Sequence, residues 1–105
     1  MTNVIPAVVN LNPIVIGTDV IYVFTFPYSI TGYSFEAKVQ TEVGNNAVAT
    51  FTIAIDTVNK RVTMSLTDTT TSELSVGLCT WYLEQTDANG LITKIIEGKV
   101  RIEKP

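Results

Sequence analysis

Histidine is absent from this chain of 105 residues, cysteine occurs once, and charged residues make up only 16% of the total. Each shortage excludes something. Without histidine the chain lacks the side chain that most often moves a proton near neutral pH. Paired carboxylates could substitute, as in glycoside hydrolysis. Glu36, Glu42, Glu84, Glu97 and Glu103, however, fall mostly on expected solvent faces, and nothing in the sequence brings two of them into a cleft. No catalytic residues and no enzyme activity are therefore expected. One thiol, Cys79, cannot furnish a zinc site, which takes several Cys or His ligands. The run Asp87-Ala88-Asn89-Gly90 lacks the further ligands of a calcium loop, and Gly44-Asn45-Asn46 carries no phosphate-loop pattern. No metal and no cofactor are expected. A lone cysteine also excludes an internal disulfide, and on the apolar face of its strand Cys79 reads as a small core residue.

Seven basic residues against ten acidic ones give a net charge of -3, which argues against a nucleic-acid partner, since that needs clustered Lys and Arg. Soluble domains are ordinarily roughly 25% charged. With so few charges, some of the surface must be apolar or merely polar, and such surface usually has a protein partner. No charged side chain precedes Asp19. The leading stretch lacks the positive start of a signal peptide, and Asn3, Pro6, Asn10, Asn12 and Pro13 interrupt any membrane-spanning helix. The expected organisation is an extended arm or edge strand over residues 1–16 and a β-sandwich domain over residues 17–105, with no membrane association.

What the chain does contain is strand pattern. Side chains alternate sides along a strand, so Tyr33, Phe35, Ala37 and Val39 share one face against Ser34, Glu36, Lys38 and Gln40. Val62, Met64 and Leu66 form another such face, as do Phe51, Ile53 and Ile55. Cys79, Trp81 and Leu83 lie together; across the turn at 87–90, Val100 and Ile102 oppose Glu97, Lys99, Arg101 and Glu103. That last hairpin has one greasy side and one charged side, suited to lie on a second sheet. Gly98 predicts a bulge or a close backbone approach, and a bulge would also explain why Lys94 shares parity with Val100 and Ile102. Val20–Phe26 is a run of β-branched and aromatic residues. Thr67–Leu74 can hold one helical turn, with Asp68 as a possible cap; three consecutive threonines make a longer helix unfavourable. Short strands with turn signals between them predict an all-β, antiparallel, Ig-like β-sandwich of about seven to eight strands with one helical turn near residues 68–74.

Two groups of residues are candidates for binding. The uncharged arm carries Val4, Ile5, Val8, Val9, Leu11, Ile14 and Val15, which could lie along a neighbouring subunit and add a strand to an exposed sheet edge. Alternatively, the same residues form the first strand of the chain's own sandwich. Tyr28 and Tyr82 are the two aromatic side chains expected outside the core, and together they would make a platform for a glycan.

The order of features from Gly17 to Glu103 resembles a family of small β-sandwich proteins and domains of tailed bacteriophages, including the N-terminal domains of baseplate upper proteins. The likeness is carried by Ile16-Gly17-Thr18-Asp19 leading into Val23-Phe24-Thr25-Phe26, and by the strand opening at Ile30-Thr31-Gly32-Tyr33 that runs to Val39. It continues through Arg61–Leu66 with the Thr-rich turn ending at Leu74, the Trp81 strand opened by Gly77, and Ile95–Val100 around its glycine. The chain departs from the family pattern at the short Pro27-Tyr28 loop and at Cys79, where an aromatic residue is usual. The resemblance implies a non-enzymatic virion structural protein, assembled in the host cytoplasm and docked on a tail, baseplate or fibre-attachment assembly. Its partners would be other virion proteins and further copies of itself in a symmetric assembly. The alternatives are a capsid decoration or cement protein, and a carbohydrate-binding β-sandwich module.

Overall fold

The structure is a computed structural model that describes residues 7–105 except 43 and 45. In chain order the elements are β1 (Ala7–Val8), β2 (Ile14–Val15), β3 (Val20–Thr25), β4 (Ser34–Thr41), β5 (Ala47–Thr50), β6 (Thr52–Asp56), β7 (Arg61–Leu66), α1 (Asp68–Thr71), β8 (Gly77–Thr86) and β9 (Ile92–Glu103). They form two packed sheets. The larger runs β5-β4-β8-β9, with β1 and β2 both on the outer side of β9; the smaller runs β3-β7-β6. This is the strand order of an Ig-like sandwich, and the all-β class matches the expectation from sequence.

Strand alternation places the core as expected. Ala37 and Val39 of β4, Val62 and Met64 of β7, Trp81 and Leu83 of β8, and Val100 and Ile102 of β9 are buried between the sheets. Phe24 stacks on Trp81, with ring centroids 5.6 Å apart. The turn into β9 is held by Asp87, whose Oδ1 accepts from the Asn89 and Leu91 amides at 2.9 Å, while Gly90 takes a positive φ of 84°. These contacts account for the Asp, Asn and Gly by turn formation alone.

Three details differ from the sequence expectation. Among the described residues there are nine strands, because the arm supplies two short ones and the return toward β7 splits at Phe51. β5 stays on β4, whereas β6 crosses to β7, and the Phe51 amide donates to the Ala37 carbonyl at 2.9 Å between them. The register shift in β9 falls at Ile95, since Leu83 pairs with Ile96 but Glu84 with Lys94. That shift puts Lys94 on the charged outer side, while Gly98 marks a close approach. Finally, the helical turn is capped by Thr67, whose hydroxyl accepts from the Thr70 amide at 3.4 Å; Asp68 instead accepts from the adjacent Thr69 amide.

Candidate functional site: protein-contact surfaces

The arm folds onto its own domain. Ala7 and Val8 pair in parallel with Ile96 and Glu97, and Ile14 and Val15 with Ile102 and Glu103. Between them the Val9 and Leu11 amides donate to the Glu97 and Lys99 carbonyls at 2.8 and 2.9 Å. In a regular parallel ladder the Val9 carbonyl would accept from the Lys99 amide. Here it turns inward and accepts from the Trp81 indole Nε1 at 2.7 Å, and Asn10 Oδ1 takes the Lys99 amide at 3.0 Å. Gly98 makes this possible: a Cβ there would lie 1.9 Å from the Val9 oxygen. The only indole of the chain, 1% exposed, thereby finds its acceptor, as a buried N–H must.

This arrangement corrects the reading of the arm as a trans-docking strand. Ile14 is fully buried in the chain's own core, Val9 and Leu11 pack against that core, and Val15 is half-buried. Of the arm's candidate binding residues that the structure describes, only Val8 is freely exposed, at 74%. Val4 and Ile5 lie outside the described residues. The physical reason is that β9 would otherwise present an unpaired outer edge, and an uncharged segment of the same chain reaches it without association entropy.

The two tyrosines do not form one platform. Tyr82 lies on the outer face of the larger sheet, with Lys94 Nζ 5.3 Å from its ring centroid. Tyr28 sits beside the core rings of Phe26 and Tyr33 and donates its hydroxyl to Gln85 Oε1 at 3.0 Å. Gln85 and Tyr82 are three apart on β8 and point to opposite sides of the strand. Burial first, then Tyr33, pushes the Tyr28 hydroxyl up; burial first, then Glu84, pushes Tyr82 up, with Lys38 opposing.

The outer face of the larger sheet is charged and internally paired. Lys38 meets Glu36 at 3.6 Å, Lys94 meets Glu97 at 3.8 Å, and Lys99 meets Glu42 at 3.9 Å. Glu36 stands directly across from Glu84, a carboxylate pairing that sequence reasoning missed because it depends on the register of β4 against β8. The pair lies on an open strand face. A groove of about 460 Å³ runs along this surface past Val8, Asn10, Tyr82 and Lys94. A second, of about 440 Å³, lies over Leu74, Val76, Leu78 and Cys79. Burial, then Glu42, pushes the Cys79 thiol up, which keeps it in the unreactive protonated form. Among the described residues no group of three or more His, Cys, Asp or Glu side chains could hold a metal ion, and no helix is long and apolar enough to cross a membrane.

The outer face of the smaller sheet has a different character. Its rows across β3, β7 and β6 are Ile21-Ser65-Thr52 and Val23-Thr63-Ala54, and charge enters only at the end row, Thr25-Arg61-Asp56. Ile21 is 66% and Val23 55% exposed. Sequence reasoning overlooked this face because Val20–Phe26 is apolar at nearly every position, and such a run does not say which side stays in water. No protein-family model matches the chain, and no curated protein matches it.

Proposed function

We propose that this chain is a non-enzymatic structural protein of a tailed-phage virion that docks onto a tail, baseplate or fibre-attachment assembly through protein–protein contacts. One observation carries the contact: the uncharged outer face of the smaller sheet, on which Ile21 and Val23 stand exposed among Ser, Thr and Ala. Isolated exposed aliphatics are ordinary; two neighbours on one strand of a sheet face free of charge over two full rows are a surface suited to burial against another protein. The virion setting is supported by the resemblance of residues 17–103 to small phage β-sandwich domains. The arm's contribution is internal, locking the edge of β9, so the docking surface is the face of β3-β7-β6.

The reading is tested by following the chain with an antibody through a density gradient of a lysate from the cells that produce it. It should sediment with assembled particles, and gold labelling should place it at the tail rather than on the head shell. Recovery solely in the unassembled soluble fraction would refute the proposal. Thr63→Lys, a charge at the centre of the uncharged face, should abolish co-sedimentation while leaving the domain folded.

A further inference from the structure

We infer that the free edge of β3 pairs antiparallel with β3 of a second copy of this chain, fusing two three-stranded sheets into one of six strands. The inference stands on the edges of the sandwich and does not depend on the virion reading. An unpaired edge presents a row of free main-chain donors and acceptors, and proteins commonly blunt such edges by shortness, charge, proline, bulges or a covering segment. Of the four edges here, three are blunted. β9 is covered by the arm; β5 has four residues beside a register shift at Val39/Gln40; β6 has five and ends in Asp56.

Among the described residues, β3 has none of these protections. It runs for six residues, Val-Ile-Tyr-Val-Phe-Thr, without charge or proline, in unbroken register with β7. Among the described residues it pairs with no other strand; the Tyr22 hydroxyl, which donates to the Asn12 carbonyl at 2.7 Å, is a side-chain tether that leaves the ladder side open. Its core-facing residues Val20, Tyr22 and Phe24 are only half-buried, whereas Val62 and Met64 on the next strand are fully buried. A strand added beside β3 would cover those three on the inner side and Ile21 and Val23 on the outer side.

The occupant follows from charge and symmetry. Each chain carries a net charge of -3, a repulsion that salt largely screens beyond about 8 Å, so two copies meet most readily where the contact surface itself is uncharged. Antiparallel pairing about a two-fold axis perpendicular to the sheet sets one residue opposite itself. A charged edge would then confront its own charge, but β3 has none. Centring on Tyr22 opposes Val20 with Phe24 and Ile21 with Val23. Centring on Val23 opposes Tyr22 with Phe24 and Ile21 with Thr25. Both registers keep inward residues facing inward.

The test is the mass of the full chain in solution as concentration is raised from micromolar to millimolar. The weight-average mass should climb from 11.5 kDa toward twice that value. Val23→Lys should hold the protein at the monomer mass, although it lowers the net charge from -3 to -2 and so weakens general repulsion. Thr63→Lys makes the same charge change on the same face, one strand in from the edge, and should leave the dimer intact. A monomer at every concentration overturns the inference, as does equal dissociation by Thr63→Lys, which would mean face-to-face packing. Amide hydrogen exchange of the unaltered protein gives a second reading independent of any variant. Protection should rise with concentration within Val20–Thr25, and a rise confined to Thr52–Asp56 or Ala47–Thr50 would overturn the pairing. Failure to dimerise with particle incorporation intact would sink this inference alone; a dimer absent from particles would sink only the docking proposal.

Discussion

The Val9 carbonyl occupies the space that a side chain on residue 98 would need: a Cβ built on Gly98 falls 1.9 Å from the Val9 oxygen and 3.0 Å from Trp81 Nε1. Gly98→Ala must therefore push the arm off β9. The buried indole then loses its acceptor, and the ladder from Ala7 to Leu11 opens. We expect a loss of about 2–4 kcal/mol, the sum of an unsatisfied buried donor and lost edge packing. Urea or thermal unfolding measures it, and an unchanged midpoint would mean that Val9 does not sit over Gly98.

Removing residues 1–10 should destabilise the domain rather than free it of a dispensable tail. The truncation takes away the Val9 acceptor of Trp81 and the Asn10 acceptor of Lys99, a cost of about 2–4 kcal/mol. Trp81→Phe, which keeps a ring but deletes the N–H, should cost less in the truncated chain than in the full one. Such non-additivity is the signature of a direct partnership. A truncated protein that melts like the full chain would restore the arm as a separable docking element.

Thr71 is the one fully buried polar side chain among the described residues. Its Oγ1 donates to the Thr18 carbonyl at 2.7 Å and accepts from the Gly17 amide at 3.1 Å, tying the helical turn to the turn before β3. Thr71→Val preserves the shape and strands both backbone groups, so it should cost about 1–3 kcal/mol. Thr71→Ser, which keeps the hydroxyl, should cost less. Equal losses in the two variants would show that packing of the methyl, and not the hydrogen bonds, matters at this position.

Stability should fall at both ends of the pH scale. Burial raises the pKa of Tyr22, Tyr28 and Cys79 in the folded state. Their contribution is complete below the unfolded values, about 8.5 for Cys and about 10 for Tyr, and is lost as pH rises through the raised folded ones. Asp56 behaves oppositely: hydrogen bonds from the Asn59 side chain, then its amide, lower its pKa. Its contribution is present above the ordinary Asp value, about 3.9, and is lost as pH falls through the lowered one. Melting temperature against pH should show both limbs, and Asp56→Asn should flatten the acid limb; an unaltered acid limb in that variant would exclude Asp56 as its source. In the same series a thiol reagent should leave Cys79 untouched in the folded protein near neutral pH and react fully once it is denatured.

Much of the fold is legible along the chain because a half-buried strand writes its orientation into alternate residues. Val62, Met64 and Leu66, or Cys79, Trp81 and Leu83, declare an inner face without any partner being known. Gly98 likewise signals a close approach, although not by what. The helix cap falls at Thr67, one residue before the Asp68 that the sequence suggests, since both are competent caps and only the bond to the Thr70 amide distinguishes them. The pairing of Glu36 with Glu84, the separation of Tyr28 from Tyr82 and the home of the arm were not legible. Each depends on which strand lies beside which, and in what register.

Composition and alternation by themselves determined that this is an all-β sandwich with a greasy interior, few charges and no histidine chemistry, because burial of apolar residues at every second position admits little else. Tertiary structure decided where the uncharged segments go. Ala7–Ile16 and Val20–Thr25 are equally free of charge except for the boundary residue Asp19 between them, yet one is spent on the chain's own β9 edge and the other is left as an open edge. Both carry main-chain donors and acceptors, although Pro13 lacks an N–H; the geometry around Gly98 and Trp81 gives the first its partner within the molecule.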